Sequence, residues 1–505
     1  MKTRDISRRA FLQGCTGVAV ASGLAHARAQ AEVKSPDLTQ DSNRPQFHLL
    51  PAANWMNDPN GPIFWKARYQ MFYQYNPHAA VWGDMHWAHA SSPDMVHWRH
   101  MPIALSPTPG GPDQDGCFSG SAVNFKGVAA VLYTAVKSAP AAEATLRDGQ
   151  HDFRETQCLA TSSHPELNTW DKLQRPVLAA PPSGMEITGF RDPCLWKEDD
   201  AWYMGIGSGI VRKGGCVLLY RSHDLHQWDY LHPLIGGEWN GVALGNPVDS
   251  GEMWECPDFF ALGGKHVLLY STLRRVYWMS GEYDAKEHRF QPQQKGELDY
   301  GPHAYYAPKS MVDEHGNRIL WGWIPETRPE AEYARAGWAG LMSLPRLLTL
   351  NADGQLEMRV IPRVRDLRSN KPMLWQTGET HVAWPVNGLG AELALHAQPG
   401  KGVVDVTIGP ADKPAVTYRL DPNEGVLSFN GETIGLDLPH GEMRLSLFLD
   451  GSVLEVFVNE RIAHTSRVYD LPPNEAMLAL HDSGSAISDA TLWQMRPISP
   501  DRLTS

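Results

Sequence analysis

Three carboxylic residues stand just before strand-like segments at distant points of the sequence. Asp58 lies in segment 55–61, Asp192 in segment 190–193 and Glu255 in segment 253–258. Clustered carboxylates repel one another, so one tends to hold its proton at neutral pH while another stays ionised. Glycoside hydrolysis needs this combination of an acid and an ionised carboxylate. If the fold brings the three residues together, they predict cleavage of a glycosidic bond.

Five repeated pairs of short apolar strands are the elements that would bring these carboxylates together. The pairs lie at 62–75, 121–135, 193–207, 257–271 and 308–323, each with a polar turn between its strands. Successive turns are about 60 residues apart, which is on the scale of repeat architectures. Five such units predict an all-β, five-bladed propeller rather than a sandwich with accidental spacing. The carboxylates would then occupy equivalent positions in three repeats and converge at one end of the central channel.

The length of the chain and its later strand pattern predict a second domain. A chain of 505 residues is too long for one ordinary core. We expect the propeller over 43–350 and a linker over 351–374, where Gly354 and the basic stretch 359–368 interrupt the strand pattern. Residues 375–497 are strand-like again and predict a C-terminal β-sandwich.

The first 31 residues have the features of an export signal. Arg8 and Arg9 precede a moderately apolar stretch, and several small-x-small cleavage sites follow between residues 25 and 31. This order indicates a twin-arginine signal peptide and hence a periplasmic or extracellular protein. No later apolar run approaches the roughly 20 residues that span a bilayer, so we expect no membrane span.

The composition narrows the range of partners and cofactors. The formal net charge is −12, and loss of residues 1–31, which carry five basic residues and one acidic residue, makes it −16. Without a basic patch, nucleic acid is not an expected partner, whereas a neutral sugar is compatible with this charge. The cysteines after the leader show no Cys-x-x-Cys spacing, so we expect no metal site, no cofactor and mostly buried thiols. Among them, Cys256 is expected to pack as a small hydrophobe.

The motifs resemble those of glycoside hydrolase family 32, which comprises invertases, inulinases, levanases and related fructan hydrolases. The resemblance is carried by segments 55–61, 118–121, 191–193, 254–258, 345–346, 362–368 and 453–459. They follow the family's order over nearly all of the chain after the leader, and the first motif is long and specific. The family's fold, a five-bladed propeller joined to a β-sandwich, agrees with the repeat pattern. The resemblance implies a retaining β-fructofuranosidase that releases terminal β-D-fructofuranosyl units from sucrose or from fructans such as inulin and levan.

The resemblance also implies roles for individual residues. Asp58 would attack the anomeric carbon and Glu255 would act as acid/base, with carboxyl groups roughly 5–5.5 Å apart. Asp192 would bind fructosyl hydroxyls more tightly as oxocarbenium character develops. The residues implied to line the fructosyl subsite or to hold its carboxylates are Trp55, Asn57, Gln74, Trp82, Phe118, Ser119 and Arg191. Tyr306 and Trp323 are further candidates.

Three alternatives stay open at the level of sequence. An inverting five-bladed furanosidase would separate its carboxyl groups by roughly 6.5–9.5 Å, although the long first motif argues against it. A fructosyltransferase would use the same site with a sugar acceptor in place of water. A non-catalytic sugar-binding propeller would have no need of three carboxylates. The sequence also does not choose among sucrose, inulin and levan, and it does not indicate an oligomeric state.

Overall fold

Each repeated strand pair of the sequence forms the inner half of an antiparallel sheet in the computed structural model, which describes residues 36–400, 402–434 and 441–505. The predicted export signal at 1–31 lies outside these residues. The first sheet consists of strands Asn54–Trp65, Arg68–Asn76, His86–Ser92 and Arg99–Leu105. The second consists of Gly116–Phe125, Val128–Ser138 and Asp152–Ser162, with the short strands Leu146–Arg147 and Asp171–Lys172 beside the last.

The remaining three sheets repeat the same up-and-down order. The third consists of Ile187–Glu198, Ala201–Ile210, Gly214–Ser222 and Asp229–Gly236. The fourth consists of Glu255–Leu262, Lys265–Thr272, Arg275–Asp284 and Arg289–Glu297. The fifth consists of Tyr306–Val312, Arg318–Ile324, Arg346–Leu350 and Leu356–Val360, with Leu341–Met342 beside its second strand.

The five sheets are blades of one closed propeller. The first strand of each blade contacts the first strand of the next blade, and that of the fifth contacts that of the first. The short strand Trp338–Ala339 also pairs in parallel with Asn54 and Trp55, which ties the end of the propeller to its beginning. The predicted all-β, five-bladed propeller is therefore confirmed.

Apolar side chains fill the spaces between neighbouring blades, as expected for units that cannot bury their own faces. Between the first two blades, Phe72 and Trp87 pack with Val131 and Tyr133. Similar clusters separate the second blade from the third and the third from the fourth. This packing makes the blades rigid supports for the residues at their inner ends.

A β-sandwich follows the propeller, as predicted. Its first sheet has the order Met373–Leu374, Ile487–Gln494, Gly390–Ala397, Met443–Asp450, Val453–Val458 and Ile462–Arg467. Its second has the order His381–Pro385, Met477–Asp482, Val404–Gly409, Val416–Asp421, Val426–Phe429 and Glu432–Ile434. Inward-facing aliphatic residues of both sheets, such as Leu393, Val406 and Leu447, form one buried core.

Helices are few and short in the described residues. The α-helices are Pro247–Ser250 and Glu330–Ala336, and the 3₁₀-helices are Leu38–Gln40, Pro362–Leu367 and Asn387–Leu389. Within the described ranges, none is long and apolar enough to cross a membrane.

Residues 351–374 differ from the predicted linker. They contain the last propeller strand, a 3₁₀-helix and the first sandwich strand. Two of the arginines that interrupt the apolar pattern bind acidic residues of the sandwich, since Arg359 binds Glu460 at 2.7 Å and Arg368 binds Glu392 at 2.6 Å. Local sequence does not reveal these partners.

The propeller and the sandwich are joined by a buried network of charges. Arg346 of the fifth blade donates to Glu455 of the sandwich and to Asp299 at 3.1 Å, and all three side chains are essentially inaccessible to solvent. His48 lies between Glu455 and Asp450, at 3.0 and 2.8 Å. Burial lowers the pKa of His48, but its bonds to the two carboxylates outweigh burial and raise the pKa to about 9. Arg346 and protonated His48 thus supply the positive charge that these buried carboxylates require.

Replacing Arg346 tests the importance of this joint. Arg346→Met removes the cation and leaves Glu455 and Asp299 buried, which should lower the free energy of unfolding by about 3–5 kcal/mol. Chemical denaturation followed by tryptophan fluorescence measures the change. Arg419→Met is the matched control, because its pair with Asp405 is exposed and should contribute less than about 1 kcal/mol. Equal losses in both variants would show that the buried network does not stabilise the joint.

Candidate active site

The first strand of every blade contains a β-bulge at the same register. Between Met56 and Pro59 of the first blade, the two residues Asn57 and Asp58 stand opposite the single residue Gln74. The corresponding bulges lie between Cys117 and Gly120, Arg191 and Cys194, Glu255 and Asp258, and Tyr306 and Lys309. A bulge adds one residue against the partner strand and redirects the side chains around it. All three predicted carboxylates and Ser119 fall at these bulges.

The register corrects one detail of the sequence prediction. The three carboxylates share the bulge, but they occupy consecutive positions in it rather than one equivalent position. Glu255 is the last paired residue before the bulge, Asp192 is the next residue, and Asp58 is the one after that. Sequence alone aligned the repeats to within one or two residues, because the bulge becomes visible only in the strand pairing.

Asp58 is held by two hydrogen-bond relays. Its Oδ2 accepts from Ser119 Oγ at 2.6 Å, and Ser119 in turn accepts from Gln74 Nε2 at 2.7 Å. Its Oδ1 accepts from Asn57 Nδ2 at 3.2 Å. Burial raises the pKa of Asp58, the Ser119 hydrogen bond lowers it, and the charge of Glu255 raises it. The donors orient the carboxylate and stabilise its ionised form.

Asp192 is buried with its backbone in the left-handed region, at φ 64°. Its backbone N–H donates to Thr134 Oγ1 at 2.9 Å, and its Oδ2 accepts from the Cys256 backbone N–H at 2.9 Å. Burial raises the pKa of Asp192 to about 7, Arg191 opposes the rise, and the charges of Glu255 and Asp58 reinforce it. Burial and the two neighbouring carboxylates thus favour the protonated form of this carboxyl.

Cys256 has polar contacts that its expected role as a small hydrophobe does not include. The residue is buried, as expected, but its Sγ lies 3.4 Å from Asp192 Oδ2 and 3.6 Å from Asp58 Oδ2. Its backbone is also left-handed, at φ 48°. The thiol stands between two carboxylates and can donate to one of them at a time.

Glu255 is fixed by donors on both of its oxygens. Arg191 donates to Oε1 through Nε at 3.1 Å and Nη2 at 2.8 Å. The Tyr306 hydroxyl donates to Oε2 at 2.7 Å. The remaining face of Arg191 binds Glu155, which is fully buried, at 2.9 Å. Burial lowers the pKa of Arg191, but the charges of Glu255 and Glu155 outweigh burial and raise it.

The predicted aromatic residues occupy two different depths. Trp55 is buried, donates to Asn57 Oδ1 at 2.7 Å and packs edge-on against Trp323. Phe118 is buried beside Ser119. Trp82 packs edge-on against Phe118, at 6.0 Å between ring centroids, and is 42% exposed. Trp55 therefore supports the carboxylates, whereas Trp82 stands at the rim.

Two residues of the site had no signal in the local motifs. Glu155 lies on the third long strand of the second blade, and Thr134 lies on the second strand. Both contact residues of the third blade, so only the arrangement of neighbouring blades reveals them.

The arrangement can carry out acid–base chemistry on a bound neutral ligand. Its three carboxyl groups have different surroundings. Glu255 is held by a guanidinium, Asp58 by a hydroxyl and Asp192 by a backbone N–H. Such differences separate their protonation behaviour. Within the described ranges, no group of three or more His, Cys, Asp or Glu side chains is arranged to hold a metal ion.

Comparison with known proteins identifies the family. The model for the "Glycosyl hydrolases family 32 N-terminal domain" matches residues 48–359, and that for the "Glycosyl hydrolases family 32 C terminal" matches residues 416–494. The sucrose-6-phosphate hydrolase of Escherichia coli is 36% identical over 93% of this chain and 98% of its own length. The raffinose invertase of Escherichia coli is 35% identical over 89% and 95%.

Solved structures agree with these sequence matches. A Bombyx mori GH32 β-fructofuranosidase superposes with a TM-score of 0.73 at 30% identity, covering 90% of this chain and 95% of its own. The fructan 1-exohydrolase IIa of Cichorium intybus gives 0.74 at 26% identity, covering 90% and 98%. The chain therefore belongs to glycosyl hydrolase family 32 and is a glycosidase.

Proposed function

We propose that this protein is an exported retaining β-fructofuranosidase that hydrolyses sucrose and fructans. The observation that carries the proposal is the convergence of Asp58, Asp192 and Glu255 at the bulges of three inner strands, linked through Cys256 and Arg191. The names of the similar proteins support a fructosyl substrate, since they include a raffinose invertase, a β-fructofuranosidase and a fructan exohydrolase. Arg8 and Arg9 before an apolar stretch support export.

In the proposed mechanism, Asp58 is the nucleophile. Its ionised oxygens attack the anomeric carbon of the fructosyl unit and form a covalent fructosyl-enzyme, which water then hydrolyses with retention of configuration. The donors Ser119 and Asn57 favour the ionised form of the carboxylate, against the effect of burial, and orient it before the attack. Gln74 holds the Ser119 hydroxyl in this orientation.

Glu255 gives its proton to the leaving oxygen and then takes a proton from the attacking water. Arg191 and Tyr306 orient the two oxygens of Glu255, and the buried charge of Glu155 compensates that of Arg191. Asp192 presents Oδ1 to the fructosyl hydroxyls, since its Oδ2 already accepts from Cys256. The bonds of Asp192 strengthen as positive charge develops on the sugar ring, which stabilises the transition state.

Product stereochemistry and two isosteric variants test this mechanism. Proton NMR of the first product released from sucrose should show β-fructofuranose, because two displacements restore the original configuration. Glu255→Gln removes the general acid and should lower kcat about 10²–10⁴-fold. Asp58→Asn removes the nucleophile and should lower kcat at least as much, while sucrose binding measured by calorimetry persists.

The matched control is Glu282→Gln, an exposed glutamate on the same blade as Glu255, whose pair with Lys265 is partly exposed. It should retain the wild-type kcat. Initial release of the inverted anomer would exclude the retaining mechanism. Dominant transfer of fructose to sugar acceptors at moderate substrate concentration would indicate a fructosyltransferase instead.

The Ser119 hydroxyl gives a prediction for the pH dependence. The pKa of Asp58 is raised by burial and lowered by Ser119, so Ser119→Ala should raise it further. Because the nucleophile must be ionised, the acidic limb of the kcat/KM profile should move to higher pH. Hydrogen bonds to charged groups contribute about 1.5–3 kcal/mol, so kcat/KM on the acidic side should fall roughly 10–100-fold.

Ser92→Ala is the matched control for this experiment. Ser92 also donates to an aspartate, Asp94, but at the far end of the first blade. The pH profile of this variant should overlay that of the wild type. An unchanged acidic limb in Ser119→Ala would mean that Asp58 does not govern that limb.

A further inference from the structure

Three side chains of the second blade, those of Thr134, Glu155 and Gln157, hold the backbone of the third blade at its bulge. Glu155 Oε2 accepts from the Phe190 backbone N–H at 2.8 Å, and Gln157 Nε2 donates to the Phe190 carbonyl oxygen at 2.9 Å. Thr134 Oγ1 accepts from the Asp192 backbone N–H at 2.9 Å and donates to Gln157 Oε1 at 3.0 Å. All three side chains are fully buried. They fix this piece of backbone against the second blade.

The open edge of the inner strand explains these contacts. The strand Ile187–Glu198 is the first of its blade, so only one of its edges is paired within the sheet. Backbone groups on the other edge need partners elsewhere, because a buried N–H or C=O without one is costly. Glu155 and Gln157 are two residues apart on one strand and therefore point to the same face. Pairing of the backbone does not require a charge, however, and the charge of Glu155 is used by its second partner, Arg191.

The guanidinium of Arg191 is bound at both ends. Its Nη1 donates to Glu155 Oε1 at 2.9 Å, whereas its Nε and Nη2 both donate to Glu255 Oε1, at 3.1 and 2.8 Å. A guanidinium that is bound at both ends keeps one orientation. Its donors therefore meet Oε1 of Glu255 and leave Oε2 to the Tyr306 hydroxyl.

The charge of Arg191 needs a partner in both protonation states of Glu255. When Glu255 is ionised, two carboxylates bind the guanidinium. When Glu255 holds a proton, Glu155 is the carboxylate that remains. Within the described ranges, Glu155 forms an ion pair with Arg191 alone, and the exposed fractions of the two side chains are 0% and 9%. A buried guanidinium without a counterion is costly, so Glu155 is its constant partner and Glu255 the one that can change charge.

Other charges lie near Glu255, but none of them takes the place of Glu155. Burial and the charge of Glu255 both raise the pKa of Asp58 and that of Asp192. Burial also raises the pKa of the Cys256 thiol, the three carboxyl groups raise it further, and the charge of Lys309 opposes them. Lys309 is buried and donates to a backbone carbonyl at 2.7 Å. In the described part of the chain, the guanidinium is thus the only cation bonded to Glu255.

We propose that Glu155 is a positioning residue, the permanent counterion of Arg191, which lets Glu255 hold and release a proton without leaving an uncompensated cation beside the reacting sugar. The inference rests on the proposed function. Positive charge develops on the fructosyl ring in the transition state, and an uncompensated guanidinium next to Glu255 would repel it. Glu155 removes this repulsion and holds the guanidinium in the orientation that Glu255 meets.

The first arm of the test removes the charge and keeps the size of the side chain. Glu155→Gln retains an oxygen for the Phe190 N–H and should lower kcat for sucrose about 10–100-fold, with KM changed less than about twofold, because the repulsion acts on the transition state. Glu392→Gln is the matched control, since Glu392 is also buried and binds Arg368 through two hydrogen bonds, but in the sandwich. The control should lower the melting temperature and retain kcat. A fall in kcat no larger than that of the control would overturn the inference.

The second arm asks whether Glu155 acts through Arg191. In an Arg191→Met background no guanidinium charge remains to be compensated, so Glu155→Gln should change kcat less than about twofold. The double variant should also unfold at a higher temperature than Arg191→Met alone, which leaves Glu155 buried without a cation. An equal fall in kcat in both backgrounds would show that Glu155 acts independently of Arg191, against the inference.

The third arm is the pH profile of Glu155→Gln, which needs no further variant. The uncompensated charge of Arg191 favours the ionised form of Glu255, so this general acid should lose its proton at lower pH. The basic limb of the kcat/KM profile should therefore move to lower pH, whereas the profile of Glu392→Gln should overlay that of the wild type. An unmoved basic limb, or a shift to higher pH, would contradict the inference and leave the proposed function intact. Failure of the wild-type protein to release fructose from sucrose would overturn the proposed function itself.

Discussion

The inner strand of each blade has one residue more than its partner strand can pair, and the whole site depends on this constraint. In a regular strand, consecutive side chains point to opposite faces, so neighbours such as Asn57 and Asp58 could not both serve one site. At the bulge they do, and so do Arg191 with Asp192 and Glu255 with Cys256. The left-handed backbone of Asp192 and Cys256 carries strain of order 1–3 kcal/mol each, which the surrounding hydrogen bonds and blade packing must offset.

Charge balance explains why so many donors surround these bulges. The guanidinium of Arg191 binds Glu255 and Glu155 and lowers the pKa of Asp192, whereas Asp58 accepts hydrogen bonds from the neutral side chains of Ser119 and Asn57. Burial and mutual repulsion raise the pKa of Asp58 and bring that of Asp192 to about 7. Hydroxyl, amide and thiol donors surround the oxygens of Asp58, which favours its ionised form.

The sandwich contributes to this geometry from a distance. Arg346 belongs to the fifth blade, whose inner strand also provides Tyr306, and its guanidinium is buried against Glu455 of the sandwich. His48 precedes the first motif and is bound to the sandwich through Asp450 and Glu455. The first and fifth blades, which close the propeller on each other, are thus both anchored to the second domain. Their relative position sets where Asp58 lies with respect to Tyr306.

Local patterns in the sequence were enough to predict the fold and the main residues of the candidate site. Apolar strand pairs at regular spacing predicted the five blades, because each blade must bury its faces against its neighbours. The acidic motifs before three of these pairs predicted the residues of the site, since all inner strands start at the same end of the channel. The strand-like pattern of 375–497 predicted the sandwich, and the family resemblance supplied the expected chemistry.

Only the tertiary structure decided the contacts between blades and between domains. Several features join residues that are far apart in sequence. They are the bulge register, the pair of Arg191 with Glu155, the Cys256 thiol between Asp58 and Asp192, and the ion pair of Arg359 with Glu460. The ring contacts of Trp82 with Phe118 and His151 also join residues that are far apart in sequence. A sequence motif specifies which residue type stands at a position, but its partner, burial and charge environment arise only when distant strands are packed side by side.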